Sequence, residues 1–458
     1  MNSNRKIIRV LVVVSVLFLA LLSYLLYFNM FEAKSVATNP YNRRQWDDER
    51  YVTRGTIYDS DGVVLAETVG TGENIKREYP YGRLYSHVIG YCSQVYGKSL
   101  LEREFDSELL GKGDIDIFQG DKKKGFELNL TIKNSLQKYA YEQMRGKKGA
   151  IVALEPKSGK VLAMVSLPDF EPSADNLEKN WNTIVEDESA PLVARAFSGL
   201  YPPGSTYKIV TAAAAFENGF QGRTFEDTGA FEKGDLKVEN FGNKKYGEIS
   251  FERGFEVSSN QLFCTVGFEL GSEKVLEIAE RFGVGKNIDF DIDASNSRIE
   301  YKKMTDEDGA LVSIGQGQLL VSPLHMAMIC GGIANDGVMM TPYVVDSVTK
   351  NETVISKARS KTFAQPIDKE CAAYIKELMV NTVKSGTGSR AAIWGIDVAG
   401  KTGTAENETE KDHAWFVGFA PADEPQIAVA VVIENSGKSG GDAAAPIAGN
   451  IIRKYLGK

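Results

Sequence analysis

Cysteine and histidine are scarce in this chain. Only 4 cysteines and 3 histidines occur among 458 residues, and no two cysteines form a Cys-x-x-Cys pair. A zinc site needs several such ligands close together, so the sequence predicts neither a metal site nor a cofactor. Disulfides are permitted outside the cell membrane, but we expect most of the cysteines to be buried apolar side chains. They are Cys92, Cys264, Cys330 and Cys371.

An excess of positive charge is also missing. The 53 Lys and Arg residues are outnumbered by 61 Asp and Glu residues, which gives a formal net charge of −8. Proteins that bind nucleic acid usually carry a basic patch or stripe, so nucleic acid is not an expected partner. The 43% hydrophobic and 25% charged residues are those of an ordinary globular protein, and the length suffices for two domains.

Only one hydrophobic run, Val10–Phe28, is long enough to cross a bilayer. Three basic residues lie within 1–9, so the positive-inside rule places this tail in the cytoplasm and the rest of the chain outside. A cleaved signal peptide is the alternative, but it requires a small-x-small site that Asn29-Met-Phe-Glu32 does not offer. We therefore expect a single-pass cell-membrane anchor over residues 10–29.

The most informative motif is Tyr201-Pro-Pro-Gly-Ser-Thr-Tyr-Lys208, which contains Ser205. A serine hydroxyl is a weak nucleophile at neutral pH and needs an adjacent base. If a helix begins after Gly204, Ser205 lies in its first turn and Lys208 falls on the same face. A desolvated lysine loses its proton more readily than a free one, so Lys208 is the candidate general base. Taken alone, Ser-x-x-Lys also occurs in many solvated helices.

A second motif, Ser258-Ser-Asn260, contains groups that could serve such a nucleophile. Ser258 is predicted to pass a proton between Lys208 and the leaving amine. Asn260 is predicted to orient the peptide bond of the substrate through its side-chain amide. By itself this tripeptide is ordinary turn chemistry, so its interpretation depends on the other two motifs.

The third motif is Lys-Thr-Gly-Thr at 401–404. Lys401 offers a cation for a substrate carboxylate, and the hydroxyls of Thr402 and Thr404 can bind the same carboxylate. Gly403 permits a close approach of the backbone. The backbone N–H groups of the nucleophile and of Thr404 are predicted to form an oxyanion hole. An edge strand with a glycine kink is the structural alternative.

The order Ser-x-x-Lys, Ser-x-Asn, Lys-Thr-Gly is the signature of serine acyltransferases that react with penicillin. With these motifs, the sequence resembles the class B penicillin-binding proteins, which are monofunctional D,D-transpeptidases of peptidoglycan synthesis. The segment Arg54–Ala66 is similar to the first box of the family's pedestal, and Gly149–Gly159 and Gly315–Pro323 are similar to its transpeptidase core. The sequence differs at Ala194 and Lys133, where many relatives carry asparagine and aspartate.

The resemblance implies an α+β fold in which a membrane helix and an elongated, β-rich pedestal at 37–146 precede a catalytic domain at 147–458. That domain would contain a five-stranded antiparallel sheet with helices on both faces, and an all-helical lobe carrying Ser205. Local patterns agree with this fold. They predict helices at Asn134–Met144 and Ala443–Tyr455, and strands at Gly149–Glu155, Lys160–Ser166, Val398–Ala405, His413–Ala420 and Gln426–Glu434.

The expected reaction is attack of Ser205 on the penultimate D-Ala carbonyl of a peptidoglycan stem peptide. D-Ala leaves, and the acyl group passes to an amine of a neighbouring strand, with D,D-carboxypeptidase activity as a possible side reaction. β-Lactams mimic the D-Ala-D-Ala amide and should acylate the same serine. A β-lactam hydrolase is one alternative, but it needs a base for water, and the lobe shows no convincing Glu-x-x-Asn motif. A membrane β-lactam sensor is another, but it should carry several membrane spans.

The resemblance also implies a partner. Crosslinking needs fresh glycan strands, and the pedestal and transpeptidase regions leave no room for a polymerising domain. A glycan polymerase of the shape, elongation, division and sporulation (SEDS) family is therefore expected to dock on Val10–Phe28 and on the pedestal near Arg54–Ala66. The sequence leaves open whether the enzyme serves division, elongation or spore formation.

Overall fold

A computed structural model of the protein describes residues 2–32, 52–70, 75–111, 123–407 and 411–458. The predicted start of the pedestal at residue 37 lies outside these ranges.

The N-terminal segment is helical, as the hydrophobic run predicts. An α-helix spans Asn2–Tyr27 and ends in a π-helical turn, Phe28–Glu32. The apolar stretch Asn4–Glu32 is long and apolar enough to cross a membrane, and none of it is buried against the described protein. A helix that exposes apolar side chains all round is suited to a lipid environment.

The pedestal contains a six-stranded sheet whose strands come from two distant parts of the sequence. Strand Glu127–Leu130 pairs parallel with Ile57–Tyr58 on one side and antiparallel with Val345–Lys350 on the other. The sequence prediction assigned residues 345–357 to the catalytic domain, so the pedestal and the catalytic region share a sheet that was not foreseen. Strand pairing between distant segments depends on tertiary packing, which a local pattern does not encode. The strand order is Thr353–Lys357, Val345–Lys350, Glu127–Leu130, Ile57–Tyr58, Val64–Val69 and Lys76–Glu78.

Arg54 lies at the centre of a buried ion-pair network in the pedestal. Its Nε is 2.6 Å from Glu102 Oε2, and its Nη1 is 2.6 Å from Asp106 Oδ1. Arg77 Nε lies 2.7 Å from Glu102 Oε1, and Lys98 Nζ lies 2.6 Å from Asp106 Oδ1. Burial raises the pKa of Glu102, but the two arginines outweigh it and lower that pKa to about 2. Each buried charge therefore faces an opposite charge, which compensates for the loss of water.

This network changes the interpretation of segment 54–66 as a partner surface. Arg54, Ile57 and Leu65 are buried and hold the pedestal together. Within the segment, the exposed part is the turn at 60–62. The predicted docking surface is therefore reduced to that turn.

The catalytic region is built on a five-stranded sheet, and every pairing in it is antiparallel, as predicted. Its Val-, Ile- and Ala-rich strands are buried on both faces because helices cover the sheet from each side. Helices Asn134–Met144 and Ala445–Tyr455 pack with Ile151 on one face, whereas Pro323–Ala334 packs with Val152 on the other. The strand order is Val161–Leu167, Gly149–Leu154, Ile427–Ile433, His413–Ala420 and Ala399–Ala405.

The lobe that carries Ser205 is mainly helical but not entirely so. Strand Thr224–Asp227 pairs with Gly247–Ser250, and Ala230–Lys233 pairs with Leu236–Glu239. The prediction of an all-helical lobe was wrong on this point, because alternating segments such as 224–227 bury one side chain in two and form strands. The helices of this region are Ala174–Glu186, Lys208–Glu217, Phe251–Val257, Asn260–Leu270, Ser272–Arg281, Asp306–Ser313 and Lys369–Lys384.

Candidate active site

Ser205 lies in a single 3₁₀ turn, Gly204–Tyr207, that leads directly into the α-helix Lys208–Glu217. The sequence predicted a helix with Ser205 in its first turn. A helical turn is present there, but it is a 3₁₀ turn, which is tighter than an α-helix. Gly204 has φ of +53°, and a Cβ there would lie 2.8 Å from the carbonyl oxygen of Thr404. A glycine is therefore required for the serine to approach the strand that carries Thr404.

The segment before the serine is fixed at both its backbone and its side chains. Tyr201 exchanges two backbone hydrogen bonds of 2.9 Å with Val321. The indole Nε1 of Trp415 donates to the carbonyl oxygen of Pro202 at 3.1 Å. These contacts join the Ser205 turn to the central sheet and limit its movement.

A partly buried carboxylate, Glu434, supports the same segment from the end of a central strand. It accepts a hydrogen bond from the Tyr201 hydroxyl at 2.7 Å and pairs with Arg195 Nε at 2.8 Å. Glu434 was not predicted from the sequence, since a lone acidic residue after a strand carries no motif. Ala194 stands where many relatives carry asparagine, and the neighbouring Arg195 still forms this ion pair with Glu434.

Lys208 is fully buried and faces the second motif. Its Nζ donates to the Ser258 carbonyl oxygen at 2.9 Å, to Ser258 Oγ at 3.3 Å and to Asn260 Oδ1 at 2.8 Å. Burial lowers the pKa of Lys208 to about 7, although Cys264 and Asp227 act in the opposite direction. A lysine with this pKa can accept a proton near neutral pH.

Ser258 lies between two buried lysines. Lys401 Nζ donates to Ser258 Oγ at 2.8 Å, and Lys208 Nζ donates to the same atom at 3.3 Å. Ser258 has left-handed backbone angles, φ 62° and ψ 42°, and caps the C-terminus of helix Phe251–Val257. Such a conformation costs a non-glycine residue about 1–3 kcal/mol, so the surrounding contacts must hold it in place.

Lys401 is also fully buried. Besides Ser258, its Nζ contacts the Thr402 carbonyl oxygen at 3.2 Å. Burial lowers the pKa of Lys401 well below its usual value, and the nearby charge of Lys208 lowers it further. Within the described ranges, no carboxylate lies at ion-pair distance from the Nζ of either lysine. The side chain of Lys401 therefore faces Ser258, and its role in carboxylate binding remains a prediction.

The other residues of the third motif lie on strand Ala399–Ala405, at the edge of the central sheet. Thr402 Oγ1 is 2.6 Å from Thr387 Oγ1, and Thr404 Oγ1 accepts from the backbone N–H of Gly440 at 3.3 Å. A Cβ at Gly403 would lie 2.9 Å from the Pro203 carbonyl oxygen, which agrees with the predicted close approach. An edge strand offers unpaired backbone groups to an extended peptide.

An open cleft of about 860 Å³ exposes part of this cluster. One wall is the loop at 240–246, which we call the cleft-wall loop. Its Phe241 is 65% exposed, and a large apolar side chain beside a cleft is available to a ligand. This loop was not predicted from the sequence, because only turn residues mark it. Predicted residues that line the cleft are Ser205, Ser258, Asn260, Thr402 and Thr404, whereas Lys208, Lys401 and Gly403 lie behind them.

The three histidines contact protein atoms elsewhere, His325 for example between Ser297 Oγ and the Phe282 carbonyl oxygen. Among the residues that the structure describes, no three His, Cys, Asp or Glu side chains form a group that could hold a metal ion.

Comparisons with known proteins match both parts of the chain. Residues 149–453 match the penicillin binding protein transpeptidase domain, and residues 54–125 match the penicillin binding protein A dimerisation domain. The peptidoglycan D,D-transpeptidase PbpA of Mycolicibacterium smegmatis is 33% identical over 97% of each chain.

Solved structures agree with the sequence comparisons. The ceftriaxone acyl-enzyme complex of penicillin-binding protein A from Mycobacterium tuberculosis superimposes with a TM-score of 0.85 at 31% identity, covering 89% of this chain and 99% of that one. The D,D-transpeptidase domain of a peptidoglycan glycosyltransferase from Eggerthella lenta gives a TM-score of 0.80 at 37% identity, with the same coverage.

Proposed function

From the premise that this chain belongs to the penicillin-binding protein transpeptidase family, we propose that Ser205 is the nucleophile of its acyl-enzyme. The activity is that of a serine-type peptidoglycan D,D-transpeptidase that β-lactams acylate. The observation that carries the residue assignment is the convergence of three distant motifs on Ser258. Lys208 and Lys401 each donate a hydrogen bond to its hydroxyl.

The first half-reaction forms the ester. Lys208 accepts the proton of Ser205 Oγ, and the oxygen attacks the penultimate D-Ala carbonyl of a stem peptide. The backbone N–H groups of Ser205 and Thr404 donate hydrogen bonds to the carbonyl oxygen, which becomes negatively charged during the attack. Ser258 passes a proton to the amine of the terminal D-Ala, which leaves as the C–N bond breaks. The hydrogen bond between Lys208 and Ser258 supports this proton path.

The second half-reaction transfers the acyl group to an amine of a neighbouring strand. The amine attacks the Ser205 ester, loses a proton through the same path and releases the serine, so the acid and base exchange roles. In a β-lactam adduct the leaving amine stays attached to the acyl group, and the ester persists.

Substrate contacts are assigned from the edge strand and the second motif. Thr402 and Thr404 bind the terminal carboxylate with their hydroxyls, and Lys401 supplies positive charge from behind them. Asn260 orients the peptide bond with its amide, whose Nδ2 donates to the Glu239 carbonyl oxygen at 3.0 Å in the unliganded cleft. A carboxylate bound at Thr402 would also supply the negative charge that the two buried lysines otherwise lack.

Labelling with a fluorescent penicillin tests the nucleophile. We expect a stable covalent adduct whose peptide map places it on Ser205, and no adduct in Ser205→Ala. Ser60→Ala makes the same change at an exposed turn and should label like the unmodified protein. Equal labelling of Ser205→Ala would remove this serine from the reaction. Rapid turnover of the β-lactam would indicate the hydrolase alternative instead.

The N-terminal helix is proposed to be a single-pass anchor with residues 1–9 in the cytoplasm. The three basic residues in this tail support that orientation. Protease added to intact spheroplasts should remove the catalytic domain while an epitope tag on the N-terminus stays protected. Digestion of the tag with retention of the catalytic domain would reverse the orientation.

A SEDS-family glycan polymerase is proposed as the partner in the membrane. The matched regions 54–125 and 149–453 are a dimerisation and a transpeptidase domain, so the glycan strands are expected from another protein. The contact surfaces are the apolar helix and the turn at 60–62. Co-purification in detergent should be lost when the helix is replaced by an unrelated span. Unchanged recovery with the replaced helix and with a mutated turn would exclude this route.

A further inference from the structure

A buried hydrogen-bond network lies directly behind the second motif. Asp227 is 1% exposed, and its carboxylate accepts hydrogen bonds from three groups. Asn240 Nδ2 lies 2.8 Å from Oδ1 and 3.0 Å from Oδ2, Ser259 Oγ lies 2.5 Å from Oδ2, and the Gly229 N–H lies 3.0 Å from Oδ1. Of these four residues, only Ser259 belongs to one of the three sequence motifs. It is the middle residue of the second motif.

Asn240 connects this carboxylate to the residues of the cleft. Its Oδ1 accepts the backbone N–H of Asn260 at 2.8 Å and that of Gln261 at 3.0 Å, at the start of helix Asn260–Leu270. Its Nδ2 also donates to the Lys244 carbonyl oxygen at 2.9 Å. One side chain therefore holds both the beginning of that helix and the cleft-wall loop.

Ser259 completes the attachment. Its Oγ donates to Asp227 and accepts the Leu262 N–H at 3.0 Å, so it also caps the helix. Ser258 and Asn260 flank Ser259, and their side chains contact Lys208 instead. Ser258 has an unfavourable left-handed backbone conformation. The hydrogen bonds of the next residue, Ser259, to Asp227 and to the helix help to hold the backbone in that conformation.

We propose that Asp227 and Asn240 are positioning residues for the acylation step, which hold Ser258 and Asn260 in hydrogen-bonding distance of Lys208. The inference rests on the proposed role of Ser205. Neither residue needs to touch the substrate for this role, and both act through the backbone at 258–261.

The network also brings a negative charge near the base. The titratable groups that influence Lys208 lie on three elements: Asp227 on strand Thr224–Asp227, Cys264 on helix Asn260–Leu270 and Lys401 on strand Ala399–Ala405. Asp227 favours the protonated form of Lys208, so its removal lowers the pKa of Lys208. Loss of Asn240 removes hydrogen bonds without removing a charge.

This difference gives the two variants distinct signatures in the pH profile of penicillin acylation. Asn240→Ala should acylate about 10- to 100-fold more slowly with the acidic limb of the profile unmoved, since buried partners lose their hydrogen bonds. Asp227→Asn should also be slower, and its acidic limb should move to lower pH. Asp235→Asn makes the same change at an exposed hairpin turn and should leave rate and profile unchanged.

A double variant separates positioning from loss of fold. Asn240→Asp alone places two carboxylates next to each other. The double variant Asp227→Asn with Asn240→Asp exchanges the two side chains, so that an amide donor again faces a carboxylate acceptor. The double variant should recover at least part of the rate that Asn240→Asp loses. Wild-type acylation by a folded Asn240→Ala, or an unmoved acidic limb in Asp227→Asn, would overturn the proposal. A failure of the proposed nucleophile would instead appear as labelling of Ser205→Ala, independently of these variants.

Discussion

Two buried clusters of charge in this molecule are built in opposite ways. In the pedestal, Arg54 is surrounded by carboxylates, with Glu102 and Asp106 each 2.6 Å away. In the catalytic region, Lys208 and Lys401 converge on the hydroxyl of Ser258, and among the described residues no carboxylate is within ion-pair distance of either Nζ. Both clusters are desolvated, so the difference lies in the counter-charge.

The counter-charge decides whether a proton can move. Burial alone would lower the pKa of Arg54, but Glu102 and Asp106 raise it well above its usual value. Burial lowers the pKa of Lys208 to about 7, because the opposing influences of Cys264 and Asp227 do not outweigh it. The pedestal therefore has fixed charges that hold strands and short helices together, whereas the cleft cluster has a lysine whose pKa lies near neutral, as the proposed base requires.

Replacement of Lys208 by methionine should produce the largest effect. Methionine keeps most of the buried volume but lacks a base, so acylation by penicillin should fall about 10²- to 10⁴-fold. Because a buried amine without a carboxylate counter-ion is removed, the melting temperature should stay the same or rise, although its hydrogen bonds to Ser258 and Asn260 are lost. Stopped-flow acylation and calorimetry measure the two quantities. An unchanged acylation rate would remove Lys208 from the mechanism.

Replacement of Glu102 by glutamine should have the opposite effect, with a loss of stability and an unchanged acylation rate. It leaves Arg54 and Arg77 without their shared carboxylate, and the breaking of a buried ion pair costs about 3–5 kcal/mol of unfolding free energy. The acylation rate per folded molecule should not change, because no residue of the network lines the cleft that exposes Ser205. Glu78→Gln, at an exposed strand position, is the control and should be nearly neutral. A stable Glu102→Gln would mean that the pedestal does not depend on this pairing.

The sequence predicted the catalytic region far better than the pedestal, and the reason is physical. Central strands such as Gly149–Leu154 and Ile427–Ile433 are continuous apolar runs, and a helix such as Asn134–Met144 has the expected period, so local pattern suffices for them. The three motifs predicted the residues that meet at Ser258. Pairing of 345–350 with 127–130 joins segments far apart in sequence, and no local pattern specifies it.

The supporting residues of the active site were also beyond local pattern. Asp227, Asn240 and Glu434 are single polar residues whose importance comes from their hydrogen-bond partners on other elements and, for Asp227 and Asn240, from burial. The environment of Lys401 was likewise not predictable from local pattern. Its motif predicted a cation for the substrate, but only the folded structure shows that its Nζ faces Ser258. Sequence identifies the chemistry, and tertiary structure determines the protonation and the orientation of each group.

Lys401→Ala should give a smaller and more selective loss. A hydrogen bond to a charged group contributes about 1.5–3 kcal/mol, so acylation by carboxylate-bearing penicillins should fall about 10- to 100-fold. Matched penicillin esters lack that carboxylate and should lose less. The comparison of the two acylation rates separates carboxylate recognition from the contact with Ser258. An equal loss for acid and ester would assign Lys401 to the support of Ser258 alone.

The two clusters should finally respond in separate ranges of pH. Protonated Lys208 cannot act as a base, so acylation should fall about tenfold per pH unit below its pKa of about 7. Glu102 has a folded pKa of about 2 against an ordinary 4.5, so its contribution to stability is present above about 4.5 and is lost as the pH falls toward 2. Between pH 7 and 5, acylation should therefore decline while the pedestal contribution to the melting temperature persists. Acylation rates and calorimetry on the same samples measure this separation. Glu102→Gln should be less stable than the unmodified protein above about pH 4.5, and this difference should vanish as the pH falls toward 2. Burial lowers the pKa of His87 and of His325 to about 4, so these residues also reduce the stability in this range, and the quantity to follow is the difference in melting temperature between the unmodified protein and Glu102→Gln. If that difference disappeared between pH 7 and 5 together with acylation, the contrast between the two clusters would be wrong.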